Sequence, residues 1–123
     1  MKFARLVAIA AETVAATQRR LPPEIRARAA DVPVHYEAEP DPSLLAEGFP
    51  SDLLGLFTGT PYGEELAEAQ PLPPQILLFI NSLWEYSERD PAILRDEVRL
   101  TYLHELGHYL GWDEDQVAAR GLE

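Results

Sequence analysis

The sequence predicts an α+β fold, a small β-sheet packed against an N-terminal helix and a long C-terminal helix. Three observations carry this. Apolar residues recur at spacings of three and four at both ends of the chain, β-rich stretches lie between them, and proline and glycine punctuate the junctions.

Phe3, Leu6, Val7, Ala10 and Val14 share one helical face, predicting a helix from about Lys2 to Arg20. Arg19 and Arg20 close it, where cations suit the negative end of the helix dipole. Pro22-Pro23 stops it, and a short helix follows over Glu24 to Ala30, since proline is tolerated at a first helical position. Val32 to Tyr36 alternates and is β-rich, so it reads as a strand, and Pro33 places it at a sheet edge.

Turn-forming residues between Glu39 and Pro50 predict an irregular connection. Leu53 to Thr58 is a second strand, ended by the turn chemistry of Gly59 to Gly63, and Glu64 to Gln70 has room for one or two helical turns. Ile76 to Ile80 is the most apolar strand, and its unbroken hydrophobicity predicts burial on both faces. The last helix is the best defined. Asp90 is an N-cap, Pro91 a first residue, Leu94, Val98, Leu103, Leu106 and Leu110 an apolar face, and Gly111 a stop.

Composition narrows the function classes. A chain of 123 residues fits one domain, 1–123, with one modest core. Cysteine is absent, so disulfides and thiolate ligands are excluded and any metal must be held by His, Asp or Glu. A formal charge of −11 with scattered basic residues argues against nucleic acid and against anionic membrane surfaces. No apolar stretch is long enough to span a membrane. The apolar run Leu6 to Ala11 is broken by Glu12, too short for the core of a secretion signal, so the expected location is cytoplasmic.

The chemistry concentrates in His104-Glu105-Leu106-Gly107-His108. Histidines four apart on a helix project from one side and can share one metal ion, for which zinc is the expected choice. Glu105 lies about 100° further round, poorly placed as a ligand but able to take a proton from a water on the metal. Such a water is acidified to a pKa of about 7, and the carboxylate can hand its proton on to a leaving amine. Gly111 turns the chain back so that Asp113, Glu114 or Asp115 can supply a third ligand.

The segment Thr101 to Glu114 resembles the minimal zincins of the bacterial zincin-like metallopeptidase family, whose motif is His-Glu-x-x-His-x-x-Gly-x-x-Asp. The likeness extends to Leu54–Pro61, to Pro73–Phe79 and to the Leu21–Glu24 junction. It implies a minimal zincin-like fold with a small mixed sheet, zinc ligation by His104 and His108, and Glu105 as general base. The family's last Asp falls on Glu114, one methylene longer, with Asp113 beside it. Metzincins are also similar, but the sole methionine is Met1, so a methionine turn beneath the site is impossible.

The expected function is zinc-dependent hydrolysis of peptide bonds in a peptide or protein substrate. The rival is a zincin-like module that binds metal or peptide without turnover, and a third reading is a regulatory protease with one partner protein. An extended substrate would pair with an edge strand, either Leu53–Thr58 or Val32–Tyr36. Tyr62, Tyr86, Tyr102 and Tyr109 each offer a phenol, with core packing the expected role. His35 reads as a strand residue. Glu97 and Thr101 lie on the helical stripe of the two histidines, where they could support them, with ordinary helix-surface duty the expected role of both.

Overall fold

Of the chain, the computed structural model describes residues 1–67 and 69–119, the side chains of Glu114, Val117 and Ala118 excepted. In chain order the elements are α1 (Phe3–Arg19), α2 (Pro23–Ala29), β1 (Val34–Glu37), α3 (Pro42–Ala46), β2 (Gly55–Thr58), β3 (Gln75–Phe79), α4 (Ile80–Tyr86), α5 (Pro91–Tyr109) and α6 (Glu114–Ala119), with a 3-10 turn at Glu65–Ala67.

The sheet is mixed, in the order β1-β3-β2. β3 pairs parallel with β1 and antiparallel with β2. The most apolar strand is therefore central, and both others are edges. One face is covered by helices: Ile76 and Leu78 are fully buried on it, and Val34, Tyr36 and Phe57 pack against the core. The opposite face aligns His35, Leu77 and Leu56, with His35 exposed and both leucines half-buried. Burial of β3 on both faces, expected from its hydrophobicity, is thus complete on one side only. Its backbone is shielded by neighbouring strands, and on the second face Phe79 is buried while Gln75 and Leu77 are half-buried.

Helices α1, α4 and α5 form the covering layer. Leu6, Ile9, Ala10 and Val14 meet Ile80 and Leu83 of α4 and Leu94, Val98, Tyr102 and Leu106 of α5 in one buried cluster. Each such aliphatic side chain contributes about 1.5–3 kcal/mol through removal from water. The predicted apolar face of α5 is buried throughout. On α1 the buried face is formed by Leu6, Ile9, Ala10 and Val14, and Phe3, on the predicted apolar face, is 42% exposed.

Three helices escape the pattern reading. α4 follows β3 with no intervening loop, so Ile80 opens a helix instead of ending the strand. Its signal was present in the helical spacing of Ile80, Leu83 and Trp84. α3 interrupts the expected irregular connection, capped by Asp41, whose carboxylate accepts from Leu44 N–H at 3.1 Å and from Ser43 Oγ at 2.6 Å. The Ser43 and Leu44 hydrogen bonds hold that carboxyl below its ordinary range. α6 occupies the acidic stretch after Gly111. Asp113 Oδ1 accepts from Gln116 N–H at 2.8 Å while Asp113 N–H donates to Gln116 Oε1 at 2.9 Å, a reciprocal cap.

Candidate metal centre

α5 is started and stopped by the predicted residues. The Asp90 carboxylate accepts from the N–H groups of Ala92 and Ile93 at 2.8 and 3.2 Å. At the other end Gly111, at φ 76°, donates to His108 O, and Trp112 N–H reaches Gly107 O at 2.9 Å. These are the two bonds of a Schellman stop, and the left-handed residue it needs is the glycine. A rigid, cleanly ended helix thus presents His104 and His108.

The two imidazoles converge. Their Nε2 atoms lie 3.0 Å apart, with ring centroids 4.6 Å apart and planes at 84°. Two nitrogens on one tetrahedral zinc at 2.0–2.1 Å would stand about 3.3 Å apart, so small rotations suffice to admit an ion. Glu105 is the third member. Among the described residues, His104, Glu105 and His108 form a group able to hold a metal, with donor atoms all within 4.8 Å of one another.

Burial separates their roles. The His104 side chain is 38% exposed and His108 is exposed, whereas Glu105 is 8% exposed as a residue. A buried carboxylate needs hydrogen bonds. Glu105 Oε1 accepts the backbone N–H of Phe57 at 2.9 Å, and Oε2 stands 4.0 Å from His104 Nε2. One oxygen is therefore anchored by the sheet and the other faces the imidazole pair.

β2 is the edge strand that borders this centre, and β1 lies at the far edge of the sheet. α5 approaches β2 closely because position 55 is glycine: a Cβ there would stand 2.6 Å from Thr101 Cγ2 and 3.2 Å from Leu77 O. Thr101 thus contacts the strand beneath the site. Beside it runs a groove of about 380 Å³ lined by Leu53, Leu54, Gly55, Leu100, Thr101, His104 and Glu105. Pattern reading had no access to this groove or to the Phe57 N–H, a main-chain donor that any residue other than proline would supply.

The remaining candidates sort clearly. Tyr102 and Tyr109 are buried, the latter against Phe57 and Tyr62, while Tyr62 and Tyr86 are 43% and 62% exposed. Burial raises the phenol pKa of Tyr102, Tyr109 and Tyr36. Tyr62 N–H donates to Tyr109 O at 2.7 Å, tying the β2–β3 loop to the end of α5. His35 lies on the open sheet face, outside the centre. Of the three expected third ligands, Asp113 caps α6 and Asp115 is exposed, and neither joins the metal-competent group. The Glu114 side chain lies outside the described residues.

The family model of the zincin-like metallopeptidases matches residues 29–122. The chain belongs to that family. The zincin-like match takes in the sheet, α5 and the His104–His108 pair, and it begins at Ala29, after the Leu21–Glu24 junction. A comparison with curated proteins finds no match. Among the described residues no helix is long and apolar enough to cross a membrane.

Proposed function

We propose that the protein is a zinc-dependent peptidase, with His104 and His108 as zinc ligands and Glu105 as general base. The observation that carries this is the pairing of convergent Nε2 atoms, 3.0 Å apart, with a buried carboxylate whose Oε2 is 4.0 Å from His104 Nε2. Zinc held there would polarise a substrate carbonyl and acidify a water. Glu105 accepts the water's proton at Oε2, Oε1 being held by Phe57 N–H, and delivers it to the departing amine nitrogen. A purely structural zinc site has no use for such a carboxylate.

Substrate binding follows from the edge. Leu54 O accepts from Phe79 N–H, so the N–H and C=O of Gly55 and the C=O of Phe57 lie on the side of β2 away from β3, Phe57 N–H on that side being held by Glu105. An extended peptide aligned there would place an apolar side chain against Leu53, Leu54 and Leu100 in the adjoining groove. We propose Glu114 as the third protein ligand on the ground that it stands where the resemblance puts the motif's last Asp, Asp113 being engaged in capping α6.

The test compares wild type with Glu105→Gln for zinc content and for cleavage of a peptide library. The expected result is about one zinc per chain in both and a loss of cleavage of about 10²–10⁴-fold in the variant. Zinc in both with no cleavage by wild type would replace the peptidase by a binding module.

A further inference from the structure

On the side of α5 away from the histidines, the seam between α1 and α5 opens into a groove of about 290 Å³. Arg19 of α1, Arg20 just after it, and Arg95 and Arg99 of α5 line it, together with the carboxylates of Glu12 and Asp96. At 100° per residue, Arg99 lies about 140–180° round the helix from His104 and His108. The groove is therefore separate from the proposed active centre.

Its charge is anomalous. The chain has ten basic side chains against 21 acidic ones and a formal charge of −11. Four of the ten line this one concavity and exceed its two carboxylates. Random scatter over so acidic a surface would give the opposite sign.

The local pairings leave this charge available. Arg95 Nη1 approaches Glu12 Oε1 at 3.6 Å, with side-chain exposures of 41% and 63%, a long and solvated contact of little energy. Arg99 is already engaged within the protein, so Arg19, Arg20 and Arg95 are the groups with charge to offer. Arg19 also sits in the last turn of α1 and offsets its terminal carbonyls, a role that leaves Arg20 and Arg95 to be explained.

We propose that the α1–α5 groove is a binding site for a phosphoryl group. Guanidinium forks arriving from two helices suit a dianion with three acceptor oxygens, whereas a carboxylate is satisfied by one fork. The same chemistry is offered by free phosphate and by a phosphate monoester on a larger molecule, and the two are separable.

The experiment titrates the ¹⁵N-labelled full chain with inorganic phosphate and, in parallel, with O-phosphoserine, at constant ionic strength set with chloride. Saturable amide shifts over residues 12–20 and 95–99 are expected. Binding should weaken at least tenfold in Arg20→Glu and in Arg95→Gln and remain unchanged in Arg5→Glu. Equal affinity for both probes assigns the site to free phosphate, and at least fivefold tighter binding of O-phosphoserine assigns it to an attached phosphate. Shifts that rise linearly, that persist in both groove variants, or that centre on His104 and His108 would overturn the proposal. So would a glutamate-rich peptide that saturates the groove when phosphate does not.

Discussion

Glu105 and Phe57, 48 residues apart, are joined by one hydrogen bond of 2.9 Å from the strand backbone to the carboxylate. The bond places Oε1 against the sheet and leaves Oε2 toward the imidazoles. Phe57→Pro removes the donor at an edge position, where proline does not cost a β3 ladder bond. It should destabilise the protein by about 1.5–3 kcal/mol more than Phe57→Ala, the increment of a hydrogen bond to a charged group. On the peptidase reading kcat should fall by about 10–100-fold with zinc content intact. Phe57→Ala keeps the N–H and should lose packing without a comparable fall in kcat. Denaturant melts, zinc analysis and steady-state kinetics check this, and equal kcat losses would refute it.

The closeness of α5 to β2 rests on Gly55. Gly55→Ala would drive a methyl into Thr101 Cγ2 and should destabilise by about 1–3 kcal/mol. Thr101→Ser deletes that methyl, so the double variant should recover part of the loss. A double-mutant cycle measures the coupling, and strict additivity would mean that the two residues do not meet.

Glu114→Ala should weaken zinc binding by more than the roughly 10–100-fold typical of losing an outer hydrogen-bond partner. Asp115→Asn should leave zinc affinity unchanged. Asp113→Ala should act through the α6 cap, lowering stability by about 1 kcal/mol, with a smaller effect on the metal. Competition with a chromophoric chelator ranks the three. Unchanged zinc affinity in Glu114→Ala would remove it from the ligand set.

Burial raises the Tyr102 phenol above its ordinary value of 10.0, with the Gln18 hydrogen bond at 3.0 Å opposing in part. The unfolded chain releases that proton near pH 10 and the folded chain at higher pH. The stabilisation is therefore complete below pH 10 and is lost as pH climbs through the folded value. Tyr36 and Tyr109 act in the same direction. Urea midpoints should be level from pH 8 to 9.5 and fall above 10, and Tyr102→Phe should soften the fall. An absorbance titration at 295 nm should show the phenols of Tyr36, Tyr102 and Tyr109 ionising above pH 10.

The helix that carries the centre was readable in the chain because its determinants are local. Asp90, Pro91 and Gly111 act on backbone groups within a few residues, and a spacing of four aims two imidazoles the same way whatever packs around them. The edge place of β1 was likewise announced by Pro33, whereas the burial on both faces expected of β3 is incomplete at Gln75 and Leu77. Short elements gave weaker signals. α4 was hidden in the apolar run that also makes β3, and α3 and α6 have too few residues to express a period.

Tertiary structure alone decided the rest. It chose β2 over β1 as the strand beside the histidines, paired Phe57 N–H with Glu105, set Gly55 against Thr101, and gathered arginines from α1 and α5 into one groove. Each of these joins groups distant in sequence, through backbone atoms common to every residue or through side chains whose neighbours depend on how helices pack. Local spacing records where one helix points a side chain. Only the folded core determines what stands opposite.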